Sequence, residues 1–467
     1  MRSGTPVVLA LASCLVAAPV QAQQSSEGSR VEALVSDTAQ RGSFRTLYSR
    51  LSEDTEALLY EPAVAGPNAS IAVVFSHSNR DNFDAPVASE MARRGYRALM
   101  VNYRGDRDNP DAVPEAFLPS ISQGIAYLRT LPGVRRVVLV AHSGGGHLAT
   151  LYQNVAEHGP SACQGPEKIY PCLEEGITHL EKPDGLVLLD PTLGAAHQMT
   201  AIDPAVAGDG RDPALDMFAA ENGYSPGAKG SKYSPEFASR FHQAQAARNK
   251  SIVDGALERL RLISAGEGEF SNDEPILIRG IGVRALGARL YQPDISFVAH
   301  TKRKHLLLSA DGSETEAVVQ SVRPPLTREV QGALRELGVM NYDTTVRGFL
   351  ANSAIRTQAD FAITADDIVG LDWASSYTST PANAEGVSVP ALVLTMSCHY
   401  LVVPGEIIFD HLSSKDKTYA AVEGATHLFK PCRPEYGDTV KRVFDFVDGW
   451  LGKEGRLPIS KRANTAG

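Results

Sequence analysis

At 467 residues, with 43% hydrophobic and 21% charged side chains, the chain has the composition of a globular protein large enough for one big domain or two smaller ones. A formal net charge of −9 and the lack of any lysine or arginine run exclude binding to nucleic acid or an anionic membrane through bulk electrostatics, and small-molecule partners are the expectation.

Arg2, the apolar run Pro6 to Val20 and the small-residue site Val20-Gln21-Ala22 read as a secretory signal peptide over residues 1–22, excluded from the fold. Leu11 to Cys14 resembles a lipoprotein box, but the apolar run continues past Cys14, which leaves lipid anchoring as the lesser alternative. No other stretch has the roughly 18 unbroken apolar residues that a membrane span needs. The mature protein is therefore expected to be soluble, in the periplasm or outside the cell. Removing the leader leaves Cys163, Cys172, Cys398 and Cys432, and an oxidising compartment makes two disulfides the expectation. Of the three pairings, Cys163 with Cys172 and Cys398 with Cys432 needs the least loop closure. No C-x-x-C or histidine cluster supports a metal site, and no metal or cofactor is expected.

Residues 29–66 alternate in pieces before Pro62 and read as an antiparallel hairpin. Asn68-Ala69-Ser70 is a glycosylation sequon, relevant only in a eukaryotic secretory host. Ile71 to Phe75 is a buried strand, Pro86 to Arg94 a helix stopped by Gly95, and Ala98 to Val101 another strand. Ile121, Ile125 and Leu128 give the next helix one apolar face. Val137 to Val140 is a strand, Gly144-Gly145-Gly146 a tight turn, and Leu148, Leu151 and Tyr152 restart helical spacing. Gly185 to Leu189 then runs into Asp190-Pro191. Such alternation implies a parallel sheet with helices on both faces and catalytic groups at strand C-terminal ends.

From 192 to 385 the rhythm breaks. A long helix is expected from Pro235 to about Leu262, a strand–turn–strand from Lys304 to Val322 and a helix through Arg328 to Leu337. A stretch this long between sheet strands reads as an inserted cap, with Trp373 and Tyr377 as candidate edge contacts or core side chains. Alternation resumes with strands at Val389 to Thr395 and Thr418 to Val422. The closing helix carries Val440, Val443, Phe444, Val447, Trp450 and Leu451 on one face. The expected organisation is thus leader 1–22, core 23–191, cap 192–385, core 386–452 and tail 453–467.

Ser143 stands in Ala141-His142-Ser143-Gly144-Gly145, a G-x-S-x-G pattern with alanine for its first glycine, between a strand end and a helix start. Such a turn lifts the hydroxyl clear of the sheet and aims helix N-terminal N–H groups at developing negative charge. A histidine base is needed, because a free serine hydroxyl is a weak nucleophile. His427, closing the last strand in Val422-Glu423-Gly424-Ala425-Thr426-His427, is the candidate.

The order of strand, serine elbow, strand ending in aspartate, insertion and strand ending in histidine resembles the α/β-hydrolase superfamily over about residues 40–190 and 386–452. Val73 to Asn79 is similar to the oxyanion-hole segment of its platelet-activating-factor acetylhydrolase and bacterial lipase branches, with Ser78 in place of a glycine. The resemblance implies an α/β-hydrolase fold, Ser143 as nucleophile, His427 as base, and an oxyanion hole from Gly144 and Asn79. It implies an acid at Tyr400 by its commonest alignment, where tyrosine cannot serve. Asp190, at the position a minority of the superfamily uses, is the expected acid, and Glu406 the alternative. His142 and His147 are expected to pack around the elbow and His77 to brace the oxyanion loop. The implied activity is serine-dependent hydrolysis of a carboxylic ester through an acyl-enzyme. Amide, lactone or carbon–carbon bond hydrolysis by the same triad, and a non-catalytic binding protein on a hydrolase scaffold, are the alternatives.

Overall fold

The short apolar runs fold as strands and the amphipathic stretches as helices packed on them. A computed structural model describes residues 43–77, 81–105, 112–208, 210–281, 287–326 and 341–457. The expected leader, Cys14, Asn79, the expected helix over 328–337 and residues 458–467 of the expected tail lie outside the described residues.

The chain opens with the antiparallel pair β1 (Phe44–Arg50) and β2 (Thr55–Pro62), then β3 (Ile71–Phe75), α1 (Pro86–Arg93), β4 (Arg97–Tyr103), α2 (Leu118–Thr130), β5 (Arg136–His142), α3 (Gly145–His158) and β6 (Gly185–Leu189). After a short helix α4 (Ala195–Met199) comes the long α5 (Pro235–Ser264), started by Pro235 and capped by the Ser234 hydroxyl, which accepts from the Phe237 N–H. Next are β7 (Pro275–Arg279), β8 (His300–Leu308), β9 (Glu314–Gln320), β10 (Asn341–Thr345), α6 (Val346–Asn352), β11 (Arg356–Ile363), β12 (Ile368–Asp372) and α7 (Thr380–Ala384). The chain closes with β13 (Ala391–Met396), α8 (Val402–His411), β14 (Lys417–Val422) and α9 (Thr439–Gly452).

Ten strands form one sheet in the order β1-β2-β4-β3-β5-β6-β13-β14-β8-β9, parallel from β4 through β8 and antiparallel at both margins. Successive side chains along a strand face opposite ways, so each strand feeds two cores. Val137, Leu139 and Ala141 pack with α2, α3 and α8 on one face, while Val138 and Val140 pack with α1 and α9 on the other. Burial on both faces explains why these strands read as continuous apolar runs rather than alternating ones.

The stretch 192–385 is less separate than its broken rhythm suggests. The hairpin β8–β9 joins the main sheet, with Leu306, Leu307 and Leu308 in parallel register with Ala420, Ala421 and Val422 of β14. Among the described residues the remainder includes two small antiparallel ribbons, β7 with β10 and β11 with β12, and a two-residue pairing of Val206–Ala207 with Gly210–Arg211; β11 packs on α5. Val253, Ile278, Phe349 and Phe361 belong to the same apolar cluster as the core on the α2–α3 face. A small satellite around Phe237, Phe241 and Leu290 is distinct from it.

Candidate active site

Ser143 follows β5 with φ of 56°, a left-handed conformation that costs a non-glycine residue roughly 1–3 kcal/mol. Its backbone is held there from three sides: its N–H donates to Leu189 O (3.0 Å), and its carbonyl accepts from Gly146 N (3.0 Å) and Thr192 N (3.1 Å). The glycines after it permit close approach. A Cβ on Gly146 would stand 2.8 Å from Pro191 Cβ, and one on Gly145 would stand 3.1 Å from Ser76 O. Gly144 occupies the N-cap of α3, so its amide lies at the positive end of that helix dipole.

One strand over, Asp190 directly follows β6 in the same left-handed region, with φ of 46°. Its N–H donates to Leu394 O (2.8 Å), which stitches the turn to β13. The side chain is fully buried, with 0% exposure. Oδ1 accepts from Met396 N (3.1 Å), and Oδ2 accepts from His427 Nδ1 (2.6 Å) and His399 Nδ1 (2.7 Å). Burial alone would raise this carboxyl, but the two imidazoles overcome it and hold Asp190 well below the usual carboxylate range.

His427 rides on a tight loop after β14, where Thr426 N donates to Lys430 O (2.8 Å), Ala425 bridges Pro431, and Cys432 N donates to Gly424 O (2.9 Å). Its Nε2 lies 2.8 Å from Ser143 Oγ. The side chain is 27% exposed, so the relay runs from a buried carboxylate to an accessible hydroxyl. Its ring lies between those of His142 and His399, with centroids 4.6 and 4.4 Å away, and its carbonyl accepts from His142 Nε2 (2.7 Å). Leu428, 60% exposed, stands next to it.

Burial lowers three of the surrounding histidines, His147, His197 and His399. Burial pushes His147 down to about 4, partly offset by the Gly144 carbonyl. Burial, then the charge of Arg289, hold His197 well below the ordinary histidine value. Burial also lowers His399, against the pull of Asp190. Tyr400 packs tilted against His399 and parallel to His197, and it is pushed far above the usual phenol range by its burial. It is a wall of the site and cannot carry the anion, as its chemistry requires.

The structure thus brings Ser143, His427 and Asp190 into one line and places Gly144 beside the hydroxyl, while Asn79 lies outside the described residues. Glu406 is elsewhere: it accepts from Lys302 N (2.7 Å), Arg303 N (3.1 Å) and His305 Nε2 (2.7 Å) and fastens α8 to β8. Tyr377 is buried and donates to Glu115 Oε2 (2.6 Å), and Trp373 packs against His411. Cys163 and Cys172 form one disulfide and Cys398 and Cys432 another, with Cα separations of 5.6 and 6.3 Å. The second joins the loops that carry His399 and His427. Among the described residues, Asp190, His399 and His427 also form a group of metal-ligand type, their ligand atoms within 4.8 Å of one another. The 2.6 and 2.7 Å gaps to Oδ2 are those of shared protons, shorter than the about 3.3 Å between neighbouring ligands of a tetrahedral zinc.

His399 is the participant that sequence reasoning misses. No motif marks it, although its neighbour Tyr400 occupies the position at which the superfamily's commonest alignment seeks an acid. Among the described residues no helix is long and apolar enough to cross a membrane.

With its mostly parallel sheet, flanking helices and serine elbow, the chain has the α/β-hydrolase fold. No protein-family model matches it, and no curated protein sequence matches it. Solved structures similar to it include esterase B from Lactobacillus rhamnosis, at 19% identity and TM-score 0.27, covering 39% of this chain and 59% of that one. The alignment therefore spans less than two thirds of that esterase. Est1E from Butyrivibrio proteoclasticus is similar at 10% identity and TM-score 0.37, covering 87% and 97%. A membrane phospholipase A described as a bacterial virulence factor is similar at 14% identity and TM-score 0.33, covering 91% and 95%.

Proposed function

We propose that the protein is a serine hydrolase that cleaves a carboxylic ester through an acyl-enzyme. The observation that supports this most is the unbroken line from Asp190 Oδ2 to His427 Nδ1 (2.6 Å) and from His427 Nε2 to Ser143 Oγ (2.8 Å). Ser143 Oγ attacks the ester carbonyl carbon as its proton passes to His427 Nε2. Asp190 keeps the proton of His427 on Nδ1, so that Nε2 is free to accept, and stabilises the imidazolium that forms. The Gly144 N–H, with Asn79 as its expected partner, receives the tetrahedral oxyanion, a donor worth about 3 kcal/mol in comparable sites. Collapse breaks the bond to the alcohol, which leaves with the proton from His427. Water then attacks the acyl-serine by the same route, returning the acid and free Ser143.

In this reading the leader directs the chain to the periplasm or the medium, where the two disulfides form. Within 192–385, the part outside the β8–β9 hairpin acts as the cap that shapes the acyl and alcohol pockets. The test is to label the protein with a fluorophosphonate and to assay short-chain p-nitrophenyl esters beside an amide and lactone panel. Labelling at Ser143 and loss of turnover in Ser143→Ala are expected. An unlabelled protein would remove the enzyme reading, and preferential amide or lactone turnover would replace the ester.

A further inference from the structure

Asp190 takes two imidazole donors on one oxygen, and the chemistry at Ser143 uses only one of them. His399 and His427 both direct Nδ1 at Oδ2, from 2.7 and 2.6 Å, with rings 4.4 Å apart and tilted by 34°. His399 is held by contacts of its own besides the bond to Asp190. Its N–H donates to Met396 O (3.1 Å), its carbonyl accepts from Ser321 Oγ (2.8 Å), Arg323 donates to that same Oγ (2.7 Å), and the preceding residue is the disulfide-bonded Cys398. The groups facing it are Asp190, His427, Tyr400, His197 and Arg323, of which Asp190 is the one carboxylate.

We propose that His399 is a positioning residue of the relay: its Nδ1–H keeps the buried Asp190 carboxylate ionised and aimed at His427 while His427 carries the proton taken from Ser143. This rests on the serine-hydrolase reading and deepens it. When His427 becomes an imidazolium, its Nδ1 proton can either stay or slide to the carboxylate. A carboxylate that already accepts from Met396 N and His399 is the weaker base, so the proton stays on His427. His399 itself gains and loses no proton. Burial lowers His399, which disfavours a second cation beside the imidazolium.

Two variants separate the N–H from the ring. His399→Leu removes the donor, whereas His399→Asn puts an amide nitrogen at the same bond distance from the backbone as Nδ1. In His399→Leu, kcat should fall by about tenfold to hundredfold with KM little changed, the range of a lost hydrogen bond to a charged group. The acid limb of its kcat profile should move to higher pH, because a carboxylate short of one donor draws the proton onto the pair more readily. His399→Asn should recover most of both effects. In wild-type protein labelled with 15N-histidine, two downfield Nδ1–H resonances are expected, of which one is lost in His399→Leu. That spectrum requires no turnover and no variant that folds poorly.

His399→Leu behaving as wild type, His399→Asn as impaired as His399→Leu, or a single Nδ1–H at Asp190 would overturn the proposal while leaving the hydrolase intact. Absence of both ester turnover and fluorophosphonate labelling in the wild type would remove the hydrolase reading and this role with it.

Discussion

Replacing Cys398 and Cys432 with alanine cuts the covalent tie between the loop that holds His399 and the loop that holds His427. The two cysteines are 34 residues apart, which in the chain-entropy treatment corresponds to about 3.8 kcal/mol at 25 °C. The other disulfide provides a control. Cys163 and Cys172 are 9 residues apart, giving about 2.6 kcal/mol by the same treatment, and they lie on the excursion after α3. Urea unfolding should therefore show both double variants destabilised by a few kcal/mol. Activity should separate them. A shift of His427 by about 1 Å is enough to cost about a hundredfold in rate, so Cys398→Ala/Cys432→Ala should lose about tenfold to hundredfold in kcat toward a p-nitrophenyl ester. Cys163→Ala/Cys172→Ala should stay within about twofold of wild type, since it touches no part of the relay. Rates should be normalised to the concentration of fluorophosphonate-reactive serine, so that unfolded protein does not count as slow enzyme. Equal kcat losses in the two variants, or full kcat in the first with only its stability reduced, would refute the claim that this tie positions the base.

Asp190→Asn should lower kcat by about three to four orders of magnitude through the wrong histidine tautomer, whereas Glu406→Gln should chiefly lower the unfolding midpoint, since its carboxylate serves two amides and His305; steady-state kinetics and urea melts on both variants distinguish the two roles. Gly146→Ala drives a methyl to 2.8 Å from Pro191 Cβ and should reduce both soluble yield and fluorophosphonate labelling rate. His242, enclosed by the rings of Phe241, Phe297 and Phe361, is pushed down to about 4 by burial. The unfolded chain takes up that proton near the ordinary value of about 6.5 while the folded chain does not. Stability is therefore lost progressively as pH falls from about 6.5 to about 4, by about 2 kcal/mol at pH 5. His242→Phe should flatten that decline, and thermal melts at pH 5 and pH 8 that show no difference in slope would count against it.

How legible these features are in the sequence follows from how local their causes are. β5, the glycine turn and α3 can be read directly, because an apolar run, missing Cβ atoms and helical spacing each act within a few residues. The same holds for α5, whose expected span of Pro235 to about Leu262 becomes Pro235–Ser264. The line from Asp190 through His427 to Ser143 depends on strand ends that the topology brings together, and chain order anticipates it only because the fold can be recognised. His399 is silent, since nothing near it in sequence signals a carboxylate 209 positions away. The hairpin β8–β9 is visible as a hairpin, but its attachment to β14 is not. Parallel pairing at a sheet edge leaves no periodic mark, and Lys302, Arg303 and Lys304 make β8 look like a surface strand.

That attachment determines what kind of unit the insertion is. β14, whose end leads into the His427 loop, has β13 on one side and β8 on the other, so it is an interior strand only while the insertion is present. Cutting residues 192–385 out and rejoining the ends would leave a bare edge along Ala420, Ala421 and Val422, a template for pairing between molecules. A minimal version of the chain cannot be made by trimming here. Any shortened version, whether sought by an engineer or reached through descent, has to keep the ribbon from His300 to Gln320 and shed only what lies around it.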